Sequence, residues 1–93
     1  MKQIRWYVFA GTRGGPTRAQ IVCALKKRPM NAHQLAQHMK LDYKTASHHL
    51  NVLLENQMVS VVNKGKYGAV YFVSESMNEL WGDFGKIWEN VHK

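Results

Sequence analysis

The chain carries a single cysteine, Cys23, among its 93 residues. One thiol excludes an intramolecular disulfide framework and a zinc site built on cysteines. Acidic residues are scarce too, with 6 Asp+Glu against 13 Lys+Arg. No pair of carboxylates is spaced for acid–base work, and no nucleophile stands beside a base. Gly11 to Gly15 lack the spacing of a glycine-rich phosphate loop. These absences point away from an enzyme and from a cofactor. No apolar run approaches the ~18 residues that would span a bilayer. The first residues show no apolar stretch followed by small cleavage residues, so a cytoplasmic protein without a membrane partner is expected. Internal repeats and low-complexity segments are missing as well.

What is present is a globular composition, 45% hydrophobic with 11% aromatic residues. Ninety-three residues make one domain, 1–93, of a size that buries roughly 60–65% of its unfolded surface. The net charge of +7 is the electrostatic footprint of a nucleic-acid-binding domain. Ribosome-associated and membrane-surface proteins share that excess, so charge alone does not decide the partner.

Ile4 to Ala10 is apolar and short, and its period fits strand or helix. Gly11 to Pro16 reads as a loop. Thr17 and Gln20 have capping-box spacing and predict a first helix that Pro29 stops near Arg28. Ile21, Val22, Ala24 and Leu25 give it a buried face, and Lys26, Lys27 and Arg28 suit the negative end of its dipole. Asn31 and Gln34 repeat the spacing for a second helix, with Leu35, Ala36 and Met39 inward. After a turn of about three residues, Asp42 is the natural N-cap of a third helix that runs to about Asn56. Two capped helices joined by so short a turn predict a helix-turn-helix over 31–57.

Met58 to Asn63 and Ala69 to Val73 are β-branched and aromatic runs around a glycine-containing tip with Lys64 and Lys66, which predicts a hairpin, the wing, over 58–74. Ser76 and Glu79 then open a C-terminal amphipathic helix over 76–92. The expected architecture is α+β, mainly α, a winged helix-turn-helix.

Several stretches together resemble the ArsR-type winged-helix repressors over about residues 5–74: Thr17-Arg18 leading into Ile21, Gln34-Leu35-Ala36, Thr45 to Leu50, Met58-Val59, Lys64-Gly65-Lys66 and Val70-Tyr71-Phe72. The Gly-Gly-Pro lead-in and the Asp-Tyr-Lys-Thr start of the third helix are most similar to archaeal members. The resemblance implies a dimeric transcriptional regulator that puts the third helix into successive major grooves. Metal-sensing members place a Cys-x-Cys pair where this chain has Asn31 and His33, so that thiolate site is absent. Glu79, Asp83, Glu89 and His92 do not reproduce the spacing of the site that other members carry on the last helix. Gln57 stands where members usually have glycine.

The third helix buries a stripe of Ala46, Leu50 and Leu53, with His49 beside it as a structural histidine. The opposite side offers Tyr43, Lys44, Thr45, Ser47, His48 and Asn51. Asn can pair bidentately with adenine, Lys can donate to guanine, and Ser can serve either. Tyr43 could bond a phosphate or simply pack on the turn. Lys64 and Lys66 could grip phosphates or merely solubilise the hairpin tip, and Arg18 could reach the DNA backbone. His48 and His49 diverge by about 100° on a helix, and His33 and His38 are poorly spaced, so no metal is expected. Cys23 is by default a small buried hydrophobe, with a redox switch as the alternative. The aromatic C-terminal residues Leu80, Trp81, Phe84, Ile87, Trp88 and Val91, with Trp6 and Phe9, predict a homodimer interface.

The reading is sequence-specific binding of double-stranded DNA by a homodimer, with no small-molecule effector identifiable. A winged-helix protein–protein module, or a ligand- or redox-responsive repressor, are the alternatives.

Overall fold

The computed structural model describes residues 9, 13–63, 68–82 and 85. Within them the order is α1 (Gly15–Lys27), α2 (Ala32–Met39), α3 (Tyr43–Glu55), β1 (Val59–Val62), β2 (Val70–Val73) and α4 (Glu75–Glu79). This is the expected winged helix-turn-helix, a mainly helical fold with a two-stranded antiparallel sheet.

Helix α1 starts two residues before the expected Thr17, and the Thr17–Gln20 box is not used. Gly14 is the N-cap and offers no side-chain bond, while Pro16 occupies the first turn. Proline suits that position because its φ is already helical and its missing N–H would have been unpaired anyway. Arg28 ends α1 in an extended conformation, as expected of a residue before proline.

The two caps of the helix-turn-helix form as read from the sequence. Asn31 Oδ1 accepts from the Gln34 amide at 2.7 Å, and Gln34 Oε1 accepts from the Asn31 amide at 3.0 Å. Asp42 Oδ1 accepts from the Thr45 amide at 2.7 Å. That bond, reinforced by the Thr45 hydroxyl, holds the Asp42 carboxyl below its ordinary range. Between them Lys40 turns the chain in the left-handed region, φ 59. Gln57 leaves α3 in the same region, φ 61. Glycine would adopt it without penalty; glutamine gives up roughly 1 kcal/mol.

The strands pair from Val59 with Val73 to Val62 with Val70. Met30 adds an isolated bridge to Tyr71, with amide-to-carbonyl distances of 3.1 and 2.8 Å in the two directions. The wing is thereby tied to the residue just before the α2 cap. Its tip, Lys64 and Lys66 included, lies outside the described residues.

The C-terminal helix departs from expectation. Ser74 caps α4 in place of Ser76, because its hydroxyl serves two partners at once. Ser74 Oγ accepts from the Met77 amide at 3.1 Å and donates to the Gln57 carbonyl at 2.8 Å. α4 ends at Glu79 with Leu80 as its C-cap, and helical geometry resumes at Trp81 and Gly82, so 76–92 is not one unbroken helix. Leu80 and Trp81 pack against this chain's own core, and the helix-weakening Gly82 follows directly. Phe84, Ile87, Trp88 and Val91 lie outside the described residues, as does Trp6.

The core gathers Ile21, Val22 and Leu25 of α1, Leu35 of α2, Leu50 and Leu53 of α3, and Met58 and Met77. Phe9 is also fully buried in it. Its expected place at a dimer interface is therefore corrected: its ring is spent inside its own chain. Among the described residues no helix is long and apolar enough to cross a membrane.

Candidate nucleic-acid interface

The α3 sequence alternates so that one side is consumed by the core and the other is left outside. Ala46, His49, Leu50 and Leu53 are buried. Tyr43, Lys44, His48 and Asn51 are exposed, with Thr45 and Ser47 half-buried at the edges. The helix thus presents a phenol, an ammonium, a hydroxyl, an imidazole and a carboxamide along one face, with a carboxylate, Glu55, only at its C-terminal end. Such a face can donate to or accept from base edges, and its capped N-terminus is rigidly set by Asp42.

Arg18 is not on that face. It is 6% exposed, and its Nη1 donates to His49 Nδ1 at 3.1 Å. The expected contact with the DNA backbone is corrected accordingly, since a guanidinium packed against α3 from inside is not turned to a phosphate. The direction of the bond fixes the imidazole, because a guanidinium only donates, so Nδ1 accepts and the ring is neutral. Burial pushes the His49 imidazole below its ordinary value, and the charges of Arg18 and His48 push the same way. Burial also lowers Arg18. His49 is the buried structural histidine expected from the sequence.

A pH dependence follows. The unfolded chain takes a proton on this ring below about pH 6.5, whereas the folded chain resists it. The His49 contribution is whole above that value and is lost as pH falls towards the depressed folded value. The urea midpoint of the wild type is expected to drop between about pH 7 and about pH 5 more steeply than that of His49→Gln. Parallel curves would show that this ring does not titrate against the fold.

A pairing that sequence reasoning did not anticipate lies at the other end of α3. His33 stacks on Tyr43, ring centroids 4.4 Å apart and planes at 26°. Beside them a cleft of about 460 Å³ opens between the start of α2, the start of α3 and β2. No sequence signal announces a pairing between residues on two different helices.

Trp81 is half-buried, with Lys26 Nζ 5.2 Å from its ring, and Lys26 also donates to Asn78 Oδ1 at 2.5 Å. One face of this expected interface residue is thus engaged within its own chain. Burial raises the Cys23 thiol, only partly opposed by Lys27, so it is held in the unreactive protonated form. Among the described residues no cluster of His, Cys, Asp and Glu could hold a metal ion.

The model of a family of bacterial regulatory proteins, the arsR family, matches residues 15–61, from the start of α1 into β1. The transcriptional repressor SdpR of Bacillus subtilis (strain 168) is 36% identical over 52 residues, 56% of this chain and 58% of that relative. The match thus spans little more than half the relative's length. The crystal structure of the transcriptional regulator SlyA shares the fold, with a TM-score of 0.70 over 96% of this chain and 63% of that one, at 15% identity.

Proposed function

The chain belongs to the arsR family of regulatory proteins, and from that premise we propose that it binds double-stranded DNA sequence-specifically as a homodimeric transcriptional regulator. The single observation that carries the reading is the division of α3, with Ala46, His49, Leu50 and Leu53 inside and Tyr43, Lys44, Ser47, His48 and Asn51 turned outward. In this reading α3 lies in the major groove with Lys44, Ser47, His48 and Asn51 toward base edges. Lys64 and Lys66 of the wing meet the flanking phosphates.

One such helix reads only a few base pairs, so two copies a helical turn apart, ~34 Å, supply the specificity. Trp88 and its apolar neighbours Phe84, Ile87 and Val91 are the surface assigned to pairing the copies. The protein acts by binding, not by catalysis, and does so in the cytoplasm. The likeness to archaeal members rests on Gly14-Gly15-Pro16 and Asp42-Tyr43-Lys44-Thr45 alone.

Selection of bound duplexes from a random pool tests DNA binding, half-site symmetry and spacing together. Against the selected duplex, Asn51→Ala is expected to relax discrimination at particular bases, at ~1–3 kcal/mol. Lys64→Ala should weaken all sequences about equally and lower the salt slope by about one. Equal effects from the two variants would mean that α3 is not the reader. Absence of binding to any duplex at low salt would favour a protein–protein role for the same fold.

A further inference from the structure

Base reading by α3 uses Tyr43 only as one residue of an exposed face and leaves the cleft beside it without a role. Asn31, His33, Tyr43, Gly68 and Tyr71 line this cleft, together with two alanines. None of the lining residues is acidic, while four carry side-chain groups able to donate a hydrogen bond. Three elements supply the walls, and each is held in place. His33 stacks on Tyr43 and limits the swing of the phenol. The backbone of Tyr71 is pinned to Met30 by two hydrogen bonds, one residue before the Asn31 cap. At the rim Gly68 leaves open space, with no atom within 4 Å of where a Cβ would stand.

We propose that this cleft seats one backbone phosphate of the bound duplex, with the Tyr43 and Tyr71 hydroxyls donating to its oxygens and the His33 ring holding Tyr43 in place. The inference rests on the DNA-binding reading and adds to it a contact that joins the recognition helix to the wing. The cleft flanks the N-terminus of α3, where the strand edge runs beside a helix lying in the major groove, and phosphates rather than base edges are presented there. Burial raises Tyr71 above its ordinary value and the neighbouring Tyr43 raises it further. Both residues line the one cleft, and Tyr71 keeps the proton that it donates.

Neutral donors mark such a seat in a way that lysines do not. They strengthen binding without sequence preference and without changing the number of released counterions. The test is duplex affinity of the full chain, measured against salt, for Tyr71→Phe and Tyr43→Phe, which keep the rings and remove only the hydroxyls. Each is expected to bind the selected and a scrambled duplex about 10-fold more weakly, with an unchanged salt slope. A duplex carrying a single neutral methylphosphonate at the seated position should bind the wild type as weakly, and Tyr71→Phe should then add no further loss. Binding within about twofold of wild type by both variants would overturn the phosphate seat, as would a loss confined to the selected duplex. In either of those outcomes Asn51→Ala would still report base reading by α3. If the wild type binds no duplex at low salt, the DNA-binding reading itself fails.

Discussion

Gly15→Ala is expected to destabilise the protein by about 2 kcal/mol, against the direction that helix propensity alone dictates. Gly15 is the first residue of α1 and is buried. In an open helix, alanine for glycine gains up to ~1 kcal/mol. Here a Cβ would run into the backbone carbonyl of Phe9, both its oxygen and its carbon. Backbone cannot rotate away as a side-chain end can, so either the Phe9 segment or the start of α1 must shift. Overpacking of this kind costs ~1–3 kcal/mol and outweighs the propensity gain. Urea denaturation measures the difference. A variant more stable than the wild type would show that the Phe9 carbonyl does not lie against α1.

Gly14 makes an instructive control. There an added Cβ would meet Arg18 Nη1 at 2.5 Å and His49 Cε1 at 2.9 Å, both at the ends of side chains. Those ends can yield, at the expense of the hydrogen bond between them.

Phe9→Ala is expected to cost ~3–5 kcal/mol, a larger loss than that of Gly15→Ala. The ring is wholly buried among the apolar side chains that α1 and α3 turn inward. For a domain whose total stability is of the order of 5–15 kcal/mol, that loss is about a fifth of the whole or more. Because the ring belongs to its own chain's core, the loss should be the same at low and high protein concentration. A residue at a dimer interface behaves differently, since its truncation shifts association and makes the apparent melting temperature depend more strongly on concentration. A concentration-dependent change in Phe9→Ala, with the dilute protein unaffected, would return Phe9 to the interface.

These two residues also show where reading a sequence stops. Gly11 to Pro16 has the composition of a loop, and Thr17 with Gln20 has the spacing of a helix start. The structure nevertheless begins α1 at Gly15, because Pro16 suits a first turn and because only a residue without a side chain fits against Phe9. Arg18 is legible as a basic residue near the start of a helix, hence as a phosphate contact. Its partner His49 lies 31 residues away, and nothing local to either residue signals the bond. The cap of α4 falls two residues before the expected Ser76 for a related reason. Ser76 has the spacing of a cap with Glu79, but Ser74 takes the position, because its hydroxyl also reaches the Gln57 carbonyl from across the wing.

By contrast, the helix-turn-helix is legible almost residue by residue. Asn31 with Gln34, and Asp42 with Thr45, form the bonds that their spacing announces. Capping is decided within one turn of helix, so the sequence carries all of its determinants. The inward stripe of α3 and the pairing of the two wing strands are legible for the same reason. The stripe follows from the 3.6-residue period of the helix, and the strands from short runs of β-branched and aromatic residues on either side of a turn. That much, and with it the polar outer face of α3 from Tyr43 to Asn51, the sequence determined by itself. Only the tertiary structure turned Arg18 inward, buried Phe9 against Gly15, tied Met30 to Tyr71 and stacked His33 on Tyr43. Those contacts join residues far apart in the chain, and they exist only once the core has brought the elements together.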